Sequence, residues 1–170
     1  MVGDDLVIRR ATAADADAVH VTLLAAFEPL RARYTPGAFD ATVLDPARVA
    51  ERLGEGPIWV AETTGGVVGT FGVRHGVDGC YLRGMGVTPA ARGLGTGRRL
   101  LEEAVAFAAA SEASRTWLYT TAFLHAAIHL YESVGFERFA EDPPPDLAGT
   151  PLVGMHLPGR SQVSVHRPSS

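Results

Sequence analysis

Residues 87–108 read VTPAARGLGTGRRLLEEAVAFA, and within them Arg92 to Gly97 place three glycines at every second position. Glycine loses more backbone freedom on folding than any other residue, so such a run needs a physical reason. C-terminal to it, Leu100, Leu101, Ala104, Val105 and Ala108 recur at helical spacing and predict a helix with one apolar face. N-terminal to it, CYLRGMGVT from Cys80 predicts a strand. The glycines therefore make a strand-to-helix turn. A Walker-type phosphate loop would need Lys followed by Ser or Thr after its last glycine, and no such pair is present. A dinucleotide turn would need G-x-G-x-x-G after an early strand, whereas the spacing here is G-x-G-x-G. A tight turn with no ligand is the plain alternative. The remaining reading is an anion site. Gly93, Gly95 and Gly97 leave the amides uncovered, the helix adds its positive dipole end, and Arg92 and Arg98 flank the turn.

Working outward, LVIRRA (6–11) predicts a first strand and DADAVHVTLLAAF (15–27) a helix. Pro36, Gly37 and Pro46 break the next segment into turns and short helical pieces, before a short helix in ARVAERL that ends at Gly54. PIWVAET and VVGTFGVRH, joined by Gly65-Gly66, read as a hairpin. After the glycine turn and its helix come a strand (TWLYTT), a helix (LHAAIHLYESV, stopped by Gly135) and two strands (FERFAE and PLVGMHL). Strands joined by tight turns should be antiparallel, and strands joined through a helix parallel. The expected fold is α/β, with a mixed, mostly antiparallel central sheet of about six to seven strands and helices on both faces. Residues 1–157 read as one domain, and 158–170, which lack apolar periodicity, as a flexible tail.

The composition narrows the function. The chain has 170 residues, 46% hydrophobic and 20% charged, with net charge −4, so nothing points to a nucleic-acid binder of the basic-patch kind and no nucleic-acid partner is expected. No apolar run is long enough to span a bilayer, and MVGDDLVIRR has charges where a signal peptide needs apolar residues, so the cytoplasm is the expected location. Cys80 is the only cysteine, and no Cys/His spacing suggests a metal.

VTPAARGLGTGRRLLEEAVAFA resembles the acetyl-CoA-binding motif of the GNAT superfamily of N-acetyltransferases, V-x-P-x-x-[QR]-x-x-G-x-[GA] followed by a helix. Arg92, Gly95 and Gly97 stand at its defining positions. AAIHLYESVGF is similar to the family's A-x-x-L-Y-x-x-x-G-F signature, and WVAET with VVGTFGV to its central hairpin. The resemblance runs in order from Pro57 to Phe139. It implies acetyl-CoA as cosubstrate, held along Met85, Gly86 and Val87 by strand backbone and at Arg92, Gly93, Leu94, Gly95, Thr96, Gly97 and Arg98 by the turn. The glycines inside GMGV independently suggest a bulge or a close backbone approach. The resemblance also implies that Tyr131 is the general acid for the departing thiolate. Leu124, Ala127, Ile128 and Tyr131 form a helical stripe, so a purely structural role for Tyr131 is the competing reading. The family often has Asn where this chain has Leu124, and His125 points about 100° away from that position.

No general base is named; His125, His129 and Glu28 are weak candidates. The acceptor pocket is expected from PLRARYTPGAFD, with Phe27, Tyr34 and Phe39 lining it and Arg31 and Arg33 attracting an acidic group, and from the loop EDPPPDLAGT. The acceptor is expected to be a small-molecule amine, with a peptide amine second. Two other classes stay open, a nucleotide-binding enzyme using the same turn and a non-catalytic acyl-CoA sensor. Dimerisation, common in the family through its C-terminal strands, would pair PLVGMHL between subunits.

Overall fold

The structure, a computed structural model, describes residues 5–139 and 149–158. One sheet has the strand order β1-β2-β3-β4-β5-β7-β6. The strands are β1 (Val7–Arg10), β2 (Ile58–Thr63), β3 (Gly66–Gly76), β4 (Gly79–Val87), β5 (Thr116–Thr121), β6 (Glu137–Phe139) and β7 (Leu152–His156). The helices are α1 (Ala16–Phe27), α2 (Pro36–Thr42), α3 (Pro46–Leu53), α4 (Thr96–Ala110) and α5 (His125–Val134). All neighbouring strands are antiparallel except β4 and β5, which run parallel across the α4 crossover. The expected mixed sheet is the one that forms.

Helices cover both faces, and β2 shows why. Ile58 and Val60 pack with Val19, Leu23, Phe39 and Val49 of α1, α2 and α3. Trp59 and Ala61 point the other way and pack with Leu100, Leu101, Ala104 and Ile128 of α4 and α5. A strand buried on both faces loses the apolar/polar alternation of an open sheet, and Ile58 to Ala61 are all buried. Helix α3 begins where the Asp45 carboxylate accepts from the Arg48 amide at 2.8 Å, with Pro46 at its first position. That cap fixes where the rest of α3 points.

The chain end differs from expectation. Over Gly154 to His156, β7 has β5 on one edge and β6 on the other, so these residues have no free edge with which to pair PLVGMHL between subunits. Met155 is fully buried, as an interior strand position allows. The outer edge belongs to β6. The loop EDPPPD and the tail after Pro158 lie outside the described residues.

At the other end of the sheet, Arg9 bridges the Asp15 carboxylate (2.8 Å) and Glu62 (2.6 Å), tying β1 to the start of α1 and to β2. The hydrogen bond from Arg9 is the main cause that holds Asp15 down at about 2. A depressed folded value means stability that is present above the ordinary carboxylate range and lost as pH falls through about 2. Asp15→Asn should therefore melt below the wild type at pH 6, with the two melting temperatures converging as the pH approaches 2. A gap independent of pH would show that the ion pair is not what Asp15 contributes.

Candidate active site

The strand pair β4–β5 is joined only at its start. Cys80, Tyr81 and Leu82 align with Thr116, Trp117 and Leu118, and among the described residues no further pairing follows on that edge. On its other edge β4 stays paired with β3 as far as Val87. The cause lies inside β4. Between the pairs Gly72↔Arg83 and Thr70↔Gly86, β4 uses one residue more than β3, a β-bulge with Gly84 at φ +73°. A bulge bends and twists its strand, and this one turns β4 away from β5. The gap is part of a cleft of about 270 Å³, walled by Met85 of β4, Leu118 and Thr120 of β5, Tyr131 of α5, Arg52 of α3 and Tyr34.

The glycine turn follows directly. Gly93 and Gly95 have φ of +77° and +80°, a left-handed conformation that a side chain would strain, and a Cβ on either would meet nothing within 4 Å. Conformation, not crowding, demands these two glycines. Gly97 differs. It lies in the first turn of α4, where a Cβ would stand 3.3 Å from Leu130 of α5, so it permits close packing of the two helices. Among the described residues, no acceptor is recorded for the amides of Gly93 to Arg98; the first recorded bond of the helix runs from Arg99 N–H to the Gly95 carbonyl. The buried Thr96 hydroxyl donates to the Ala91 carbonyl (3.4 Å) and ties the start of α4 to the residues before the turn.

The two flanking arginines have side-chain partners. The Arg92 guanidinium donates to the Ala26 carbonyl at the end of α1 (2.8 Å) and to the Val87 carbonyl (3.3 Å). Arg98 donates to Ser133 of α5 at 2.7 Å. Both brace the turn from outside.

Tyr131 is almost fully buried, 5.9 Å from the Phe136 ring, and part of the core beneath α4 and α5. It also walls the cleft. The two sequence readings of Tyr131, core and cleft, thus coexist in one side chain. No hydrogen bond of its hydroxyl is recorded among the described residues, and burial pushes its pKa well above the ordinary phenol value. Such a hydroxyl keeps its proton at neutral pH, which suits a donor and not a base.

The structure sorts the remaining expectations. Leu124 borders the cleft at the start of α5, while His125 and His129 are exposed. Glu28 is exposed and paired with Arg31 at 2.7 Å. Phe27 and Tyr34 line the cleft, and Tyr34 meets the rings of Phe27, Phe39 and Phe123 edge-on. Arg31 and Arg33 do not line it. They stack over Phe39 (3.9 Å) and Phe123 (4.5 Å). The arginines that border the cleft are Arg48, Arg52 and Arg83, none of them anticipated. The i, i+4 spacing of Arg48 and Arg52 on α3 was visible, but on a short helix it reads as a solvated face.

Residues 54–138, from the end of α3 through β6, match the family model described as the acetyltransferase (GNAT) domain. The chain belongs to the GNAT acetyltransferases. YjgM of Escherichia coli K12, described as an uncharacterized N-acetyltransferase, is 42% identical over 84 residues, or 47% of this chain and 50% of that protein. The match thus spans about half the length of that curated relative. Among solved structures, ribosomal-protein-alanine N-acetyltransferase from Brucella melitensis is 26% identical with TM-score 0.70, over 88% of this chain and 98% of that one. The yncA protein of Salmonella typhimurium, solved with its cofactor acetyl-CoA, shares the fold at 22% identity and TM-score 0.70, over 95% and 98% of the two chains. The sheet opened between β4 and β5 is thus a GNAT fold. Among the described residues no helix is long and apolar enough to cross a membrane.

Proposed function

We propose that this GNAT protein transfers the acetyl group of acetyl-CoA to a primary amine by direct attack in a ternary complex, and that the acceptor is a small molecule. The observation that carries the reading is the continuity of the bare turn, the unpaired edge of β4 and the Tyr131 wall. The residues fit the cosubstrate: two left-handed glycines facing open space and a set of uncommitted amides at a helix N-terminus suit a diphosphate. Acetyl-CoA, when bound, supplies an acetyl group activated as a thioester.

This chain's own residues do the rest. Amides from Gly93 to Arg98 bind the diphosphate, and the free edge of β4 along Met85 to Val87 offers backbone donors and acceptors to the amide-bearing arm. A backbone N–H near Val87 donates to the acetyl carbonyl oxygen as negative charge develops there. Tyr131, protonated at neutral pH, donates to the sulfur as the C–S bond breaks, and the proton shed by the newly acylated nitrogen replaces the one it gives up, so that no phenolate remains. The attacking amine arrives neutral. Leu124 gives the wall an apolar surface. Holding both reactants together supplies much of the acceleration.

The test is acetyl-CoA with a panel of amines, reading free thiol release. Acetylated product from a small amine supports the proposal. Tight acetyl-CoA binding with only slow thioester hydrolysis across the panel would favour an acyl-CoA sensor. Stabilisation by NAD or ATP in place of acetyl-CoA would move the chain to the nucleotide-binding class. The oligomeric state belongs to the same proposal: a homodimer formed by strand pairing would use the β6 edge.

A further inference from the structure

The acceptor end of the cleft carries more positive charge than the protein neutralises. Arg48 and Arg52 project from α3, and Arg83 stands in β4 just before the bulge. Arg83 is paired with Glu55 at 2.6 Å. Arg48 and Arg52 form no ion pair with a carboxylate among the described residues. Glu55, whose charge reaches Arg52, is already held by Arg83. Arg52 is the pivotal member. Its guanidinium lies against the bulge, since a Cβ on Gly84 would stand 3.5 Å from its Nη1. Gly84 and Met85 are where β4 leaves β5, so Arg52 sits beside the opening between the two strands.

Burial, followed by the like charges of Arg83 and Arg48, pushes Arg52 down to about 10, so it stays charged at neutral pH. A half-buried guanidinium facing two like charges is unfavourable until an anion joins it. The rest of the wall carries no charge: Phe27, Tyr34 and Leu124 stand in it beside the neutral hydroxyls of Thr42, Thr120 and Thr121. Guanidinium presents a planar fork of donors that matches an oxyanion two bonds at a time.

We infer that the acceptor of this acetyltransferase is a small amine carrying an oxyanion, carboxylate or phosphate, on the same molecule, and that Arg52 with Arg48 binds that anion. The inference rests on the proposed acetyl transfer and deepens it. The anion anchors one end of the acceptor on α3 and β4, and the amine is left free to face Met85 and Tyr131. Arg52 is a specificity residue and moves no proton.

The experiment uses the full chain and matched acceptors: amino acids of increasing amine-to-carboxylate spacing, their carboxamides, the decarboxylated amines, and aminoalkyl phosphates. At least one anionic acceptor should exceed its neutral partner by roughly 10-fold or more in kcat/KM, the scale of one charged hydrogen bond. Comparing carboxylates with phosphates identifies the oxyanion. Arg52→Gln should raise KM for the anionic acceptor by roughly 10-fold or more, a far larger change than it makes for a neutral amine or for acetyl-CoA. Equal use of acids and amides overturns the inference, as does equal acetylation of an amidated, acid-free peptide. An Arg52→Gln variant that weakens neutral and anionic acceptors alike also overturns it.

Calorimetry of the same acceptors without acetyl-CoA separates the two layers. Anion-dependent binding that Arg52→Gln abolishes, in a protein that acetylates nothing, keeps the pocket and removes the acetyl transfer. Absence of anion-dependent binding removes the pocket whatever the turnover.

Discussion

Tyr131→Phe should lower kcat by roughly 100-fold or more, the range removed with a positioned general acid, while the KM for acetyl-CoA stays close to that of the wild type. The separation follows from where the hydroxyl stands. The ring is packed in the core with Phe136 and walls the cleft. Phenylalanine fills the same volume, and no recorded hydrogen bond among the described residues is lost with the oxygen. The turn that would bind the diphosphate lies on another element. A melting temperature within a degree or two of the wild type should accompany the kinetic loss, since no buried partner is orphaned. If Tyr131→Phe turns over at the wild-type rate in steady state, the proton reaches sulfur by another path and Tyr131 is only a core residue. A fall in kcat matched by an equal fall in stability would likewise assign Tyr131 to the core alone.

The second large effect is structural and falls at the closed end of the cleft. Gly79 begins β4 with φ +116°, and a Cβ there would stand 2.2 Å from the carbonyl oxygen of Arg115. The same oxygen accepts from the Cys80 amide at 2.8 Å, next to the short parallel pairing of β4 with β5. Gly79→Ala therefore combines backbone strain with a clash against a backbone atom that cannot rotate away. Strain of about 1–2 kcal/mol and overpacking of about 1–3 kcal/mol predict a loss near 3 kcal/mol. In a domain of this size that is a fall of about 10 °C in melting temperature. Gly37→Ala is the control: nothing lies within 4 Å of its Cβ and its φ is ordinary, so it should melt like the wild type. A Gly79→Ala protein that melts within 2 °C of the wild type would mean that β4 and β5 separate at that point without cost.

Much of this molecule can be read from local pattern. PIWVAET announces β2 as one arm of a hairpin, the Leu100 to Ala108 stripe announces α4, and the two glycines in GMGV announce the bulge. These succeed because period and backbone conformation are local properties. What escapes is decided by distant neighbours. β7 follows β6 in sequence yet lies between β5 and β6, an ordering that turn chemistry does not encode. Arg31 and Arg33 look free to meet a substrate until Phe39 and Phe123 take them. Arg92 looks like a phosphate ligand, and its fork is turned toward the end of α1. Arg48 and Arg52 resemble solvated helix charges, and only the placement of α3 beside the bulge turns them to the cleft.

The short join between β4 and β5 bears on how the protein survives in use. One group of strands, β1 to β4, meets the other, β5 to β7, through three aligned residue pairs, and α4 with its glycine turn is the covalent link between them. A ligand that lies along β4, reaches Tyr131 on the far side and ends on the turn would act as a clasp between the two groups. By mass action, a ligand that binds only the folded chain adds about 2.7 kcal/mol to its stability at one hundred times Kd. A short seam in the middle of the sheet is then also the one that turnover keeps fastened, and protein starved of its cosubstrate would be the form most open to proteolysis.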